Sequence, residues 1–147
     1  MPVISRDEIK EGYVNTYGIK HEHLPPDTNR LVSDFFFDIV HEYLAHNISV
    51  VVEAAFQHTV WEPRIPKILE FASLWIVLCS ADGPVVERRY LQRGLENPDR
   101  EFYHGVRGVA PDSYAEPTFD GPTIRVSTDG EYVPGIDEIA KHIQQLI

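Results

Sequence analysis

The chain has 147 residues, of which 43% are hydrophobic and 24% charged, values typical of one soluble globular domain. Its longest apolar run, the six residues 74–79, is too short to cross a bilayer, and no signal-peptide pattern is present. The single cysteine excludes an internal disulfide and favours a reducing compartment. We therefore expect a cytoplasmic protein without a membrane partner.

The net charge of −10 argues against a nucleic-acid partner, because phosphate binding needs a basic surface. The charge is unevenly distributed. Residues 87–107 hold five arginines against four carboxylates, a net of +1, whereas the rest of the chain has 8 Lys/Arg and 19 Asp/Glu, a net of −11. One local basic segment on an acidic protein favours a small anionic ligand, so we expect a small-molecule substrate.

Local patterns predict strands and helices in alternation. Ser-Arg-Asp-Glu at 5–8 is a capping box that follows a short strand and begins a helix, which Gly18 ends. Apolar residues three and four apart predict a long amphipathic helix over 27–46, and the β-branched run 48–54 predicts a buried strand. The remaining predictions are helices over 63–71, 84–94 and 136–146, strands over 74–79 and 123–127, and a long loop over 95–121.

This alternation predicts an α/β fold in a single domain, residues 1–147. Its parallel sheet carries helices on both faces, which makes three layers. Cys79, in the predicted strand 74–79, is expected to be a buried structural residue.

Two carboxylates follow predicted strands. In parallel α/β folds the ligand crevice lies at the carboxyl ends of the strands, where Asp7 could accept a hydroxyl proton. The alternative is an acidic residue favoured by the helix dipole, worth about 0.3–1 kcal/mol. Glu53 ends an apolar strand. Because burial of an unpaired charge is costly, we expect its carboxylate to contact a cation or a water, or to be exposed at the strand tip. It could hold Mg²⁺ through water or be a structural anchor, and Gln57 could line the same crevice as a substrate-binding residue.

Arginines dominate the predicted helix 84–94. Arg89 and Arg93 are four residues apart and share a helix face, with Arg88 to one side. Guanidinium groups suit phosphate oxygens and the charge of a transferring phosphoryl group. Because a long loop follows, the segment of about 87–121 would close over a nucleotide as a lid. The alternative is a solvated helix face paired with neighbouring glutamates.

Several segments together resemble a known family in their order and spacing. It comprises the predicted ATP-dependent kinases of the P-loop superfamily, related to polynucleotide kinase, zeta toxins and chloramphenicol phosphotransferase. The resemblance implies a P-loop kinase-like fold that uses ATP and Mg²⁺ and transfers the γ-phosphoryl group to a hydroxyl of a small molecule. The segments that carry the resemblance are 5–10, 50–56, 87–93, 123–127 and 132–139.

The same resemblance implies roles for individual residues. Asp7 matches the general-base aspartate, and Lys10 stands where relatives often carry a substrate-binding arginine. Glu53 stands where many relatives have an aspartate, and it would help to hold Mg²⁺. Arg89 and Arg93 match the lid arginines, for which we expect a catalytic role. Independently of the resemblance, we expect the neighbouring Arg88 to bind substrate.

The chain departs from this family in one main respect. It contains no G-x-x-x-x-G-K-[ST] loop, whose backbone amides and lysine hold the ATP phosphates. The family's first strand, that loop and its first helix are missing, so we expect a truncated domain without ATP-dependent turnover. The missing strand would lie between the strands at 48–54 and 74–79. Its loss leaves about ten backbone groups without hydrogen-bond partners, and each of them lowers stability by about 1–3 kcal/mol if it is buried.

That gap has three possible solutions. The flanking strands close on each other, another chain fills the slot by homo-oligomerisation or strand complementation, or the natural protein is longer. Two other functions stay open. One is a non-catalytic binding or interaction module derived from a kinase, and the other is nucleic-acid end processing, which the charge of −10 disfavours.

Overall fold

The computed structural model describes residues 1–55, 58–97, 99–104 and 119–145, without the side chain of His58. None of the helices in these residues is both long and apolar enough to cross a membrane. In chain order the elements are β1 (Val3–Ser5), α1 (Arg6–Tyr17), a 3₁₀ turn (His21–His23), α2 (Thr28–Ala45), β2 (Val51–Glu53), α3 (His58–Trp61), α4 (Ile65–Leu69), β3 (Ile76–Ser80), α5 (Gly83–Glu96), α6 (Arg100–His104), β4 (Thr123–Ser127) and α7 (Ile136–Gln144).

All strand pairing between these elements is parallel. β1 pairs with β2, and Ser5 is the register partner of Glu53. β3 pairs with β4 from Ile76 opposite Thr123 to Ser80 opposite Ser127. Helices that alternate with parallel strands confirm the predicted α/β class. The described residues form two two-stranded sheets, and one three-layer sheet stays a prediction.

The chain divides into two compact units. The N-terminal unit comprises Met1–Ser73 with Gly94–Phe119, and the C-terminal unit comprises Leu74–Arg93 with Asp120–Ile147. We describe each unit by itself. The single domain of residues 1–147 stays a prediction.

The core of the N-terminal unit lies against one face of α2. Val32, Phe36 and Val40 follow the predicted spacing and are buried, together with Phe37. The ring of Trp61 meets both phenylalanine rings edge-on, at centroid distances of 6.0 and 5.1 Å. Such edge-to-face contacts add to the stabilisation from buried area. The predicted helix 27–46 is therefore confirmed, and its apolar face is the centre of this unit.

The ends of α1 follow from local chemistry. The hydroxyl of Ser5 accepts a hydrogen bond from the amide of Glu8, as the predicted capping box requires. At the other end Gly18 has a φ of +67°, and its amide donates to the carbonyl of Val14. This left-handed conformation costs glycine little because it has no Cβ. Both predicted helix ends are confirmed.

The C-terminal unit has much less core. Among its described residues Val126 is the one buried apolar side chain, and neither α5 nor α7 has a buried residue. On β3, Val77 is 41% exposed and Cys79 is also exposed. Parallel strands are usually covered on both faces, so β3 departs from that rule. The expected burial of Cys79 is wrong, although Cys79 does lie in a strand.

Candidate functional site

The carboxyl ends of β1 and β2 lie side by side and are joined through Ser5. Its hydroxyl donates a hydrogen bond to Oε2 of Glu53 at 2.6 Å, while the same oxygen accepts from the amide of Glu8 at 3.4 Å. Glu53 is exposed, which is one of the three explanations that the sequence left open. Ser5 therefore connects the end of β2 to the start of α1.

Asp7 is the second residue of α1, directly after β1. Its side chain is 58% exposed, and Oδ1 lies 3.4 Å from a terminal nitrogen of Arg6. A carboxylate in this position can accept a proton from a bound hydroxyl, because little of it is covered by the protein.

Lys10 lies one helical turn after Asp7 and is only 7% exposed. Burial lowers the pKa of its ammonium group, the charge of Arg6 lowers it further, and the charge of Asp7 opposes both effects. Within the described part of the chain Lys10 makes no hydrogen bond.

Arg6 is a residue that the sequence analysis did not single out. Its Nε–H donates to the hydroxyl of Ser33 at 3.2 Å, and one terminal nitrogen donates to the carbonyl and the side-chain oxygen of Asn29 at 3.3 and 3.4 Å. The side chain is 20% exposed. The available signal was a cation next to the candidate base at the start of a helix.

A pocket opens beside Arg6, and all of its walls belong to the N-terminal unit. Its empty volume is about 330 Å³ including the open mouth. The walls combine one guanidinium group, one hydroxyl, two small residues that follow β2, and a larger apolar surface. The lining residues are Arg6, Ser33, Phe36, Phe37, Ala54, Ala55, Val60 and Trp61.

The candidate lid arginines lie on α5. Arg89 donates to the hydroxyl of Thr128 at 3.2 Å and also to the carbonyl of Thr128, and it is partly buried. These bonds connect α5 to the residue that follows β4. Arg88 and Arg93 are exposed. The catalytic roles of Arg89 and Arg93 and the binding role of Arg88 stay predictions.

Two parts of the predicted site lie outside the described residues. They are Gln57 and, within the predicted lid segment, residues 98 and 105–118. The described end of the lid segment contains α6, whose His104 contacts Glu11 of α1 at 2.9 Å, and Tyr103 donates to Asn15 at 3.0 Å. These contacts hold α6 against α1.

Asp129 is a second residue that the sequence analysis did not single out. Its carboxylate accepts from the amide of Asp82 at 2.6 Å and from the hydroxyl of Ser127 at 2.9 Å. These two bonds, in that order, and the nearby charge of Arg89 lower the pKa of Asp129. Because Asp82 precedes α5, Asp129 connects the end of β4 to the start of that helix.

The described residues contain no group of three or more His, Cys, Asp or Glu that could hold a metal ion. Mg²⁺ bound through water needs fewer protein ligands, because most of its ligands are then waters and nucleotide phosphates. Glu53 fits that limited role, since it is exposed at a strand end and Ser5 orients one of its oxygens. For the ATP phosphates themselves the sequence offers no glycine-rich loop with a lysine.

The fold has a counterpart among solved structures. A crystal structure at 1.70 Å resolution of a "putative kinase" from Chloroflexus aurantiacus J-10-fl superposes with a TM-score of 0.82, over 100% of this chain and 84% of that one. The two sequences are 17% identical, so the likeness shows the fold alone. No family model matches the sequence, and no curated protein matches it. The chain therefore has a kinase-like fold.

Proposed function

We propose that this chain is a P-loop kinase-like phosphotransferase domain that, when complete, moves the γ-phosphoryl group of ATP to a hydroxyl of a small molecule. One observation carries the proposal. An exposed carboxylate, Asp7, and a buried cation, Lys10, lie one turn apart on α1, where β1 and β2 end. In α/β folds this edge of the sheet is the usual ligand crevice.

In the proposed reaction the acceptor oxygen attacks the γ-phosphorus and forms the new O–P bond. Its proton passes to the carboxylate of Asp7. The bond between the γ-phosphorus and the bridging oxygen breaks, and ADP leaves with that electron pair. Lys10 stabilises negative charge on the acceptor. Bound Mg²⁺ would supply charge neutralisation at the phosphates, with Glu53 holding one of its waters.

In this proposal the phosphate-binding loop is supplied by residues outside these 147, because the sequence contains no G-x-x-x-x-G-K-[ST] motif. Pairing in the described residues supports this part of the proposal. β2 and β3 each have one strand partner, so each has a free backbone edge at which a further strand can pair. We therefore expect no ATP-dependent turnover from this chain alone.

Calorimetric titration with ATP and Mg²⁺ tests the missing loop. The 147-residue chain is compared with a form extended by the sequence encoded upstream of Met1. We expect binding by the extended form only. Tight binding by the shorter chain would contradict the proposed need for an external loop.

The base is tested in the extended form by Asp7→Asn. We expect the rate of phosphoryl transfer to fall by about 10²–10⁴-fold, the usual contribution of a positioned base. Glu8→Gln is the matched control, since Glu8 is the adjacent exposed carboxylate. Equal losses in both variants would contradict a special role for Asp7.

One observation favours a second candidate, a non-catalytic binding or interaction module. The C-terminal unit exposes apolar side chains of a strand and a helix, such as Val77 and Ile136. Exposed apolar surface of this kind often marks a protein partner. Nucleotide binding by neither form of the chain would favour this module, and oligonucleotide binding that weakens with salt would favour nucleic-acid end processing.

A further inference from the structure

α6 is a short helix whose attachment to the N-terminal unit depends on polar contacts. It has five residues, Arg100–His104, and none of them is buried. A helix of this length is not stable by itself, so its neighbours must hold it in place. It packs against α1 and the 3₁₀ turn. Towards α1, Nε2 of His104 lies 2.9 Å from Oε1 of Glu11, and the hydroxyl of Tyr103 donates to Oδ1 of Asn15 at 3.0 Å. A change of charge at this contact should therefore be enough to release α6.

His21 of the 3₁₀ turn lies among positive charges at the same place. Burial lowers the pKa of its ring, and the charges of nearby basic groups lower it further. These groups are Lys10 and Arg6 of α1 and His104 of α6. The two elements that pack around His21 thus both resist a proton on it.

The two histidines at this contact differ in the carboxylate that is available to each. A proton on His104 is compensated by Glu11, because the ring and the carboxylate are in direct contact. The carboxylate that favours a proton on His21 is Glu22 of the same turn, and Glu22 contacts the ring of His23 instead, at 3.8 Å. A proton on His21 therefore adds a positive charge that has no ion-pair partner among the described residues.

We propose that His21 and α6 form a pH-sensitive clasp, in which α6 stays on α1 at neutral pH and leaves it when His21 takes up a proton. Departure of α6 removes the charge of His104 and the cover that α6 gives to the turn, so the pKa of His21 rises toward its ordinary value of about 6.5. Because the docked state binds this proton less readily than the released state, acid favours release.

The clasp lies beside Lys10, whose charge acts on His21. Release of α6 would therefore change the surroundings of a residue that the proposed reaction uses to bind the acceptor. This consequence rests on the proposed function. The pH dependence of α6 itself does not.

Titration of the 147-residue chain by ¹H–¹⁵N NMR, from about pH 8 to about pH 5, tests the clasp. The amides of residues 100–104 should lose their helical shifts below about pH 6.5, the ordinary pKa of histidine. The amides of α2 should still have their folded positions at the pH where α6 is released. This order separates release of one helix from unfolding of the whole unit.

His21→Gln removes the titrating ring, so release of α6 should move to lower pH by about half a unit or more. His23→Gln is the matched control, because His23 is the exposed histidine of the same turn, and it should leave the pH of release nearly unchanged. Glu11→Gln should act in the opposite direction. It leaves a proton on His104 uncompensated, so release should move to higher pH. If His21→Gln does not fold, Glu11→Gln, at a partly exposed position, carries the test.

Four results would overturn the inference. They are unchanged α6 amides over this pH range, loss of the α6 signals only together with those of α2, equal effects of His21→Gln and His23→Gln, and an unchanged or lower pH of release in Glu11→Gln. Failure of the proposed function looks different. α6 then responds to pH as expected, and the extended chain transfers no phosphoryl group to small hydroxyl compounds.

Discussion

The two units of this chain are stabilised in different ways. Among the described residues of the N-terminal unit, eleven apolar side chains are buried, several of them aromatic. Among the described residues of the C-terminal unit, Val126 is the one buried apolar side chain. This unit relies instead on hydrogen bonds that connect Asp129 to the start of α5 and Thr128 to its middle, and Ser127 donates to Asp129. Burial is spread over many contacts, whereas a hydrogen-bond network depends on a few atoms. Substitutions should therefore act differently in the two units.

The largest effect is expected in the N-terminal core. Phe36 is 1% exposed and Phe35, its neighbour on α2, is 56% exposed. Phe36→Ala should lower the free energy of unfolding by about 3–5 kcal/mol, because it removes a ring and leaves a cavity. Phe35→Ala should change it by less than about 0.5 kcal/mol. Urea denaturation measures both, and equal effects would mean that the core lies elsewhere.

The next effect concerns the network of the C-terminal unit. Arg89→Gln removes the bonds to Thr128 and should destabilise this unit by about 1–3 kcal/mol. Arg88→Gln, at an exposed position next to it, should have little effect on stability. Hydrogen exchange of the β3 and β4 amides gives the local measurement. Similar exchange rates in the two variants would contradict a structural role for Arg89.

Acid should affect the two units in different pH ranges. In the N-terminal unit both ring nitrogens of His41 are buried without a hydrogen-bond partner among the described residues, and burial lowers its pKa. Below about pH 6.5 the unfolded chain binds a proton that folded His41 resists, so stability falls as the pH drops through that range. The pKa of His21 is also lowered, mainly by burial, and this lowered pKa acts in the same direction. Above about pH 6.5 neither histidine contributes to this effect.

The C-terminal unit should respond at lower pH. The lowered pKa of Asp129 stabilises the fold above the ordinary aspartate pKa of about 3.9, and this stabilisation is lost as the pH falls through the lower folded value. Amide NMR signals of α2 and β3 recorded against pH separate the two ranges. His41→Leu should reduce the loss near pH 6, and His46→Gln, at an exposed histidine of the same helix end, should leave it unchanged. Loss of the α2 and β3 signals in the same pH range would contradict the expected difference between the two units.

The smallest effect concerns Lys10. Removal of the charge of Arg6 in Arg6→Gln should raise the pKa of Lys10 toward its ordinary value, because the two cations repel each other. Because burial is the larger cause and is unchanged in this variant, the pKa of Lys10 should return only part of the way to its ordinary value. NMR titration of the lysine side chain measures the shift, with Arg30→Gln as the control.

Local chemistry made much of the fold predictable. The cap at Ser5, the left-handed Gly18 and the apolar spacing of α2 each depend on a few neighbouring residues, and the corresponding predictions agree with the structure. The strand predicted over 48–54 is shorter, Val51–Glu53, because the three residues of β1 limit its pairing. The helix predicted over 63–71 is also shorter, Ile65–Leu69, and α3 precedes it.

Long-range contacts were not predictable in the same way. Lys10 was identified by resemblance, but its burial depends on how α1 packs. The contacts of Arg6 with α2 and of Arg89 with Thr128 join residues 27 and 39 positions apart, and no local pattern specifies them. The Ser5–Glu53 hydrogen bond likewise follows from strand register, which single-strand patterns do not determine.

The hydroxyl of Ser5 has a consequence for how this chain can vary over evolutionary time. The same oxygen caps α1 and donates its proton to Glu53, 48 residues away. Residues 5 and 53 are therefore coupled, so a substitution at one position changes which residues are tolerated at the other. Alanine at position 5 would remove both bonds at once, whereas threonine would keep both. Among distant descendants these two positions should change together, even where the residues between them drift independently.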